Sequence, residues 1–138
     1  MKPVIQEETT GCGIAASAAL AGVSYQQAKQ TANALGIFAD DKALWSDTQH
    51  IRHLLMKLGI NTRPQQTSFI NWKQLPDKAL LATKWHQQDG RSFWHWAVFV
   101  RDGHNAYVLD SKQALKHHTR TDFGRIKPKW FIEVCTSK

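Results

Sequence analysis

The chain has 138 residues, 42% of them hydrophobic and 21% charged, with a formal net charge of +7. That length suffices for one compact domain spanning 1–138 with a core needing neither disulfides nor metal, and the balance excludes a disordered chain. No apolar run approaches the roughly 20 residues of a membrane helix, and the opening MKPVIQEETT carries acids and threonines where a secretion signal has its apolar stretch, so the expected location is the cytoplasm.

The first helix is expected to begin at or beside Cys12. Gly11 and Gly13 frame that residue, IAASAALAG follows, and Gly22 is a natural stop. Almost no polar side chain interrupts the segment, which predicts a helix buried nearly all round. A second helix runs from Tyr25 to Leu35, with Ser24 and Gln27 as a capping box and Gly36 as its end. A third runs from Asp47 to Leu58. Ser46 and Gln49 repeat the capping pattern, Ile51, Leu54, Leu55 and Leu58 form the apolar stripe, and Gly59 closes it. A short fourth helix is expected from Phe69 to Leu75, capped by Ser68 and stopped by Pro76.

Strands follow. They are expected over Ala79–Trp85, Trp94–Arg101, Ala106–Ser111 and Trp130–Cys135, the middle two joined by Asp102-Gly103-His104-Asn105. That connection is too short for a crossover, so the sheet should be antiparallel. Helices first and strands after predict an α+β fold, with N-terminal helices packed on a C-terminal antiparallel sheet.

Two cysteines, Cys12 and Cys135, lie near opposite ends. One pair in a chain of this length is not the pattern of a disulfide scaffold. Cys12 has the setting of a nucleophile. A thiolate attacks where a thiol does not, and unpaired N–H groups at a helix start stabilise the anion. Cys135 sits in a terminal strand without such a setting and reads as structural. His95, inside SFWHWAVFV, is the candidate base that takes the Cys12 proton and later returns one to the leaving group. Asp110, in AYVLDSK, is the candidate orienting acid. If the hairpin turns about Gly103-His104, Ala97 faces Asp110, and Asp110 shares a sheet face with His95. A slip of one residue would put it on the other face. Gln6, six residues before Cys12, is a candidate oxyanion donor beside the Cys12 backbone N–H. His50 and His53, three apart, and the adjacent His117 and His118 lack a Cys or Glu in zinc spacing, so no metal is expected.

Gln6, Thr-Gly-Cys-Gly at 10–13, His-Trp-Ala-Val-Phe-Val from His95 and Val-Leu-Asp ending at Asp110 together resemble the double-glycine leader peptidases of bacteria, cysteine peptidase family thirty-nine, of papain-like fold. The resemblance covers the whole chain in order. It implies Cys12 as nucleophile, His95 as general base and acid, Asp110 as orienting acid and Gln6 as oxyanion donor. It further implies acyl transfer through a thioester with no cofactor. The chain departs from the family pattern at Gly11, where an Asp often stands, and at Ser111, where a Pro often follows the Asp. It also lacks the membrane transporter to which the best-known members are fused, so a stand-alone hydrolase of peptide or amide bonds is expected. Related papain-like domains also act as deamidases, transglutaminases or toxins.

A different class is a catalytically inactive peptide-binding module of the same fold. Trp72, Trp85, Trp94 and Trp96 would supply its aromatic contact surface, with Trp94 and Trp96 as candidate substrate-binding residues. A nucleic-acid partner would draw on the net charge alone. Lys and Arg are densest between Arg101 and Lys129 but form no long run. The expected partner is therefore a peptide or protein substrate, not nucleic acid. Neither the substrate's identity nor an oligomeric state follows from these residues.

Overall fold

The computed structural model describes residues 1–41 and 47–135. The expected Ser46 cap of the third helix lies outside the described residues.

Among the described residues, three helices precede the main sheet. Helix α1 spans Cys12–Ala21, and every residue from Ile14 to Leu20 is buried, as its lack of a polar stripe requires. One flank (Ala16, Ala19, Leu20) packs on the sheet, and the other (Ile14, Ala15, Ala18) packs among Tyr25, Ala28 and Ala32 of the next helix. Gly22 ends α1 in the left-handed conformation, φ +71°. Helix α2, Tyr25–Ala34, carries the capping box: Gln27 N–H donates to Ser24 Oγ at 3.1 Å, and Ser24 N–H to Gln27 Oε1 at 3.0 Å. Helix α3, Gln49–Lys57, turns Ile51, Leu54 and Leu55 inward. On its outer side the Arg52 guanidinium donates to Thr62 Oγ1 and to the carbonyls of Arg63 and Pro64, tying the helix to the chain that follows.

The expected fourth helix does not form. Thr67–Ser68 is instead a short strand in which Ser68 opposes Trp130, and Phe69 N–H still donates to the Lys129 carbonyl. Only Trp72–Gln74 makes a single 3₁₀ turn, capped by Asn71, whose side chain accepts from Gln74 N–H. The pairing with the last strand claims the residues that would have opened a helix, and Pro76 leaves too little chain for one afterwards.

The strands among the described residues are β1 (Asn61–Thr62), β2 (Thr67–Ser68), β3 (Lys78–Gln88), β4 (Arg91–Asp102), β5 (Asn105–Leu109), β6 (Thr119–Arg120) and β7 (Pro128–Cys135). They run in the order β1-β7-β3-β4-β5-β6, with β2 also on β7, and every pairing is antiparallel. The fold is α+β. Its helix-side layer includes Leu80, Trp96, Val98, Trp130 and Ile132. The opposite face, with Leu81, Ala97, Phe99 and Phe131, is covered by Leu75 and Ile126 and flanked by Trp72 and Phe123.

β3 and β4 are longer than expected, by three residues each at the end where they join. Asp89 (φ +53°) and Gly90 (φ +77°) close a two-residue turn between Gln88 and Arg91, the conformation an Asp-Gly pair favours. The register shifts between Thr83 and His86, where Lys84 holds φ +54°, so the arm beyond the bulge leans out of the sheet.

Candidate active site

The β4–β5 hairpin pairs Arg101 with Ala106 and Val98 with Leu109. This is the register that puts Asp110 on the face of His95. β5 ends opposite Val98, so the N-terminal half of β4 has no partner strand on that side among the described residues. By the alternation of an antiparallel ladder, the even-numbered residues of β4 direct their main-chain groups towards β5. Beyond its end, Trp96 N–H meets Cys12 Sγ at 3.5 Å instead. Cys12 is thus the first residue of α1, laid against a bare strand edge, with Gly11 as an N-cap that offers no side-chain hydrogen bond.

His95 is the neighbour of Trp96. Its ring is largely buried, and Nε2 lies 2.8 Å from Asp110 Oδ1. Cys12 and His95 line the same cleft. Burial alone works against a charged imidazole. The bond to Asp110, with the nearby Cys12 and the Asp110 charge, outweighs it and raises His95 from 6.5 to about 9. Asp110 is 3% exposed. Burial opposes its charge too, but the bond to His95, its charge, the Lys112 N–H and Arg120 together hold the carboxyl well below the usual range.

Asp110 is held from every side. Its N–H donates to the His118 carbonyl at 2.8 Å, and His118 Nδ1 donates back to the Asp110 carbonyl at 2.9 Å. Lys112 N–H reaches Oδ1, while Arg120 Nη1 donates to Oδ2 at 3.0 Å. Arg120 is itself clamped by both carboxylate oxygens of Asp122. The sequence reading missed Arg120. It reaches Asp110 because β6 pairs with the end of β5, placing Thr119 opposite Leu109, and a two-residue strand leaves no readable pattern.

Gln6 is 5% exposed and bound on all sides. Its Nε2 donates to the carbonyls of Glu8 (2.9 Å) and Thr9 (2.7 Å), and its Oε1 accepts from Ser111 Oγ (2.8 Å). Carbonyls only accept, so the amide orientation is settled by its partners. Both amide hydrogens expected for an oxyanion are engaged in shaping the loop before Cys12. Gly11 is bare for a packing reason. A Cβ there would collide with Tyr25 Oη, which donates to Glu8 Oε1 at 2.6 Å. Its bareness admits Tyr25.

A cleft of about 810 Å³ opens beside Cys12 and His95. Thr9 and Thr10 also line it, as do Phe93 and Trp94 of β4, and the projecting arm supplies Lys84, His86, Gln88, Asp89 and Arg91. Trp94 therefore lines the cleft. Trp96 is buried beneath Cys12, in edge-to-face contact with Trp94 and Trp130. Trp72 stands apart from the site, among Phe69, Phe99 and Phe123 on the opposite face, and Trp85 packs under the Lys129 ammonium. Cys12 and Cys135 are both free thiols. Among the described residues no group of His, Cys, Asp and Glu is placed to hold a metal, and no helix is long and apolar enough to cross a membrane.

No family model, curated protein or solved structure matches the chain.

Proposed function

We propose that the chain is a papain-like thiol hydrolase that cleaves a peptide or amide bond, in the manner of the leader peptidases it resembles. The observation that carries this reading is the His95–Asp110 pair beside Cys12, with Cys12 at an uncapped helix start and both Cys12 and His95 lining one cleft.

In this reading the Cys12 proton already rests on the His95 imidazole, as a thiolate–imidazolium pair, while Asp110 holds Nε2–H and the ring orientation. The sulfur adds to the scissile carbonyl carbon, and the electron pair moves to its oxygen. Backbone N–H groups at the start of α1 face that charge. As the tetrahedral species collapses, the C–N bond breaks and His95 gives its proton to the amine, leaving a thioester on Cys12. Water, deprotonated by His95, then adds to the thioester, and the acid leaves as the thiol is restored.

Iodoacetamide near neutral pH tests the first step. Cys12 is expected to alkylate quickly, Cys135 slowly, and His95→Ala to abolish the difference. Reaction at Cys12 only in alkali would sink the proposal. A second reading draws on Gln6, whose amide is occupied: a peptide-binding module of the same fold without turnover. It would be favoured if Cys12→Ala leaves peptide binding intact and no substrate is turned over by the native chain.

A further inference from the structure

The chain carries an excess charge of +7, and five of its cations gather at one place beside the cleft. A cavity of about 410 Å³ lies behind the His95–Asp110 pair, between the bulge of β3 and the segment entering β7. Lys84, Arg120, Arg125, Lys127 and Lys129 line it against a single carboxylate, Asp110. That carboxylate is already bound by His95 and Arg120. Lys84, Arg125 and Lys127 have no carboxylate within 4.0 Å among the described residues. Like charges gathered in a concave site raise its local potential and draw in anions.

Lys84 gives the cavity a direction. It holds a left-handed backbone at the bulge and lines both this cavity and the cleft beside Cys12. Burial, and after it the charge of Lys112, lowers its pKa. An arriving carboxylate would relieve that repulsion. The site is compact and shares Lys84 with the cleft, where a nucleic acid would need a basic track running along the surface.

We propose that this basic cavity receives acidic side chains of the peptide held in the cleft, so that preferred substrates carry Asp or Glu to one side of the bond presented to Cys12. The proposal rests on the peptide-hydrolase reading for its ligand, and its test separates the two.

Dye-labelled ten-residue peptides, Ala-rich with four Glu placed towards either end, are titrated against the full-length Cys12→Ala chain by anisotropy, beside peptides with Gln in place of Glu. One Glu peptide is expected to bind about tenfold tighter than its Gln counterpart, a preference that salt weakens. Arg125→Gln with Lys127→Gln should erase the preference. Lys2→Gln with Lys57→Gln, equal in net charge, should keep it. Iodoacetamide labelling of Cys12 should be the same with and without the cavity substitutions, showing that the cleft is folded. Equal binding of Glu and Gln peptides overturns the proposal, as does equal loss in both double variants. Tighter binding of a single-stranded oligonucleotide, abolished by the cavity substitutions, also overturns it. Selective binding of Glu peptides with an unreactive Cys12 supports the acidic-ligand site while removing the hydrolase reading.

Discussion

Opposed forces meet at His95. Burial disfavours its charge, and Asp110 and Cys12 restore it, to a pKa of about 9. Its ring should therefore remain protonated at pH 7.5 and titrate near 9 by NMR. Asp110→Asn removes the charge that offsets burial, so the midpoint should fall; an unchanged titration would dissociate the two residues. Turnover on any substrate found should drop by about 10²–10⁴, the range of acid–base assistance. Arg120 acts one step behind as a positioning residue, through Asp110 Oδ2. Arg120→Gln should lower kcat with little change in KM and shift the His95 titration, and Arg120→Lys should restore part of both. A change in KM alone, with the titration fixed, would assign Arg120 to substrate binding.

At the scale of elements, one close fit places the nucleophile. The loop 6–11 is moored by Gln6 and by Tyr25 on Glu8, and Gly11 lies against the Tyr25 hydroxyl. Gly11→Ala should destabilise the fold by about 1–3 kcal/mol, as overpacking does, measured by the urea midpoint. Tyr25→Phe in that background should recover part of the loss, because the nearest clash is with the hydroxyl. The arm of β3 and β4 shapes the cleft instead. Gly90→Ala forces a side chain onto φ +77°, at a cost of about 1–2 kcal/mol, and should raise KM while leaving Cys12 alkylation unchanged. The arm also shows where sequence pattern runs out. Asp102-Gly103-His104-Asn105 was readable because apolar alternation flanks it, and that fixed the His95–Asp110 register. Asp89-Gly90 is as good a turn signal, but the residues of β3 beside it are exposed on both faces, so no alternation announced the strands. The fourth helix failed for a related reason: Ser68 is a good cap, yet its pairing opposite Trp130 depends on a strand more than sixty residues away.

Across the whole molecule, the site depends on contacts distant in sequence: Cys12 on Trp96, Gln6 on Ser111, and Asp110 on a residue brought in by β6. The composition of α1 and the β4–β5 turn made Cys12, His95 and Asp110 legible. Arg120 and the basic cavity were not, because scattered cations converge only when β6 and β7 close on the sheet. The same convergence links the site to global stability. His95 is raised above its ordinary 6.5, so its contribution is fully present below that pH and is lost as pH climbs through about 9. Asp110 is lowered from 3.8, so its contribution is present above that value and is lost as pH falls towards the depressed folded-state value. The pair therefore stabilises the fold most between about pH 4 and 6.5, and its contribution declines on the alkaline side well before lysines titrate. Urea midpoints should fall from pH 6 to pH 9.5. In Asp110→Asn the alkaline fall should flatten, because the imidazolium has lost its partner. A native profile flat over that interval would mean that His95 is not held charged by Asp110, and the proposed ion pair would lose its cation.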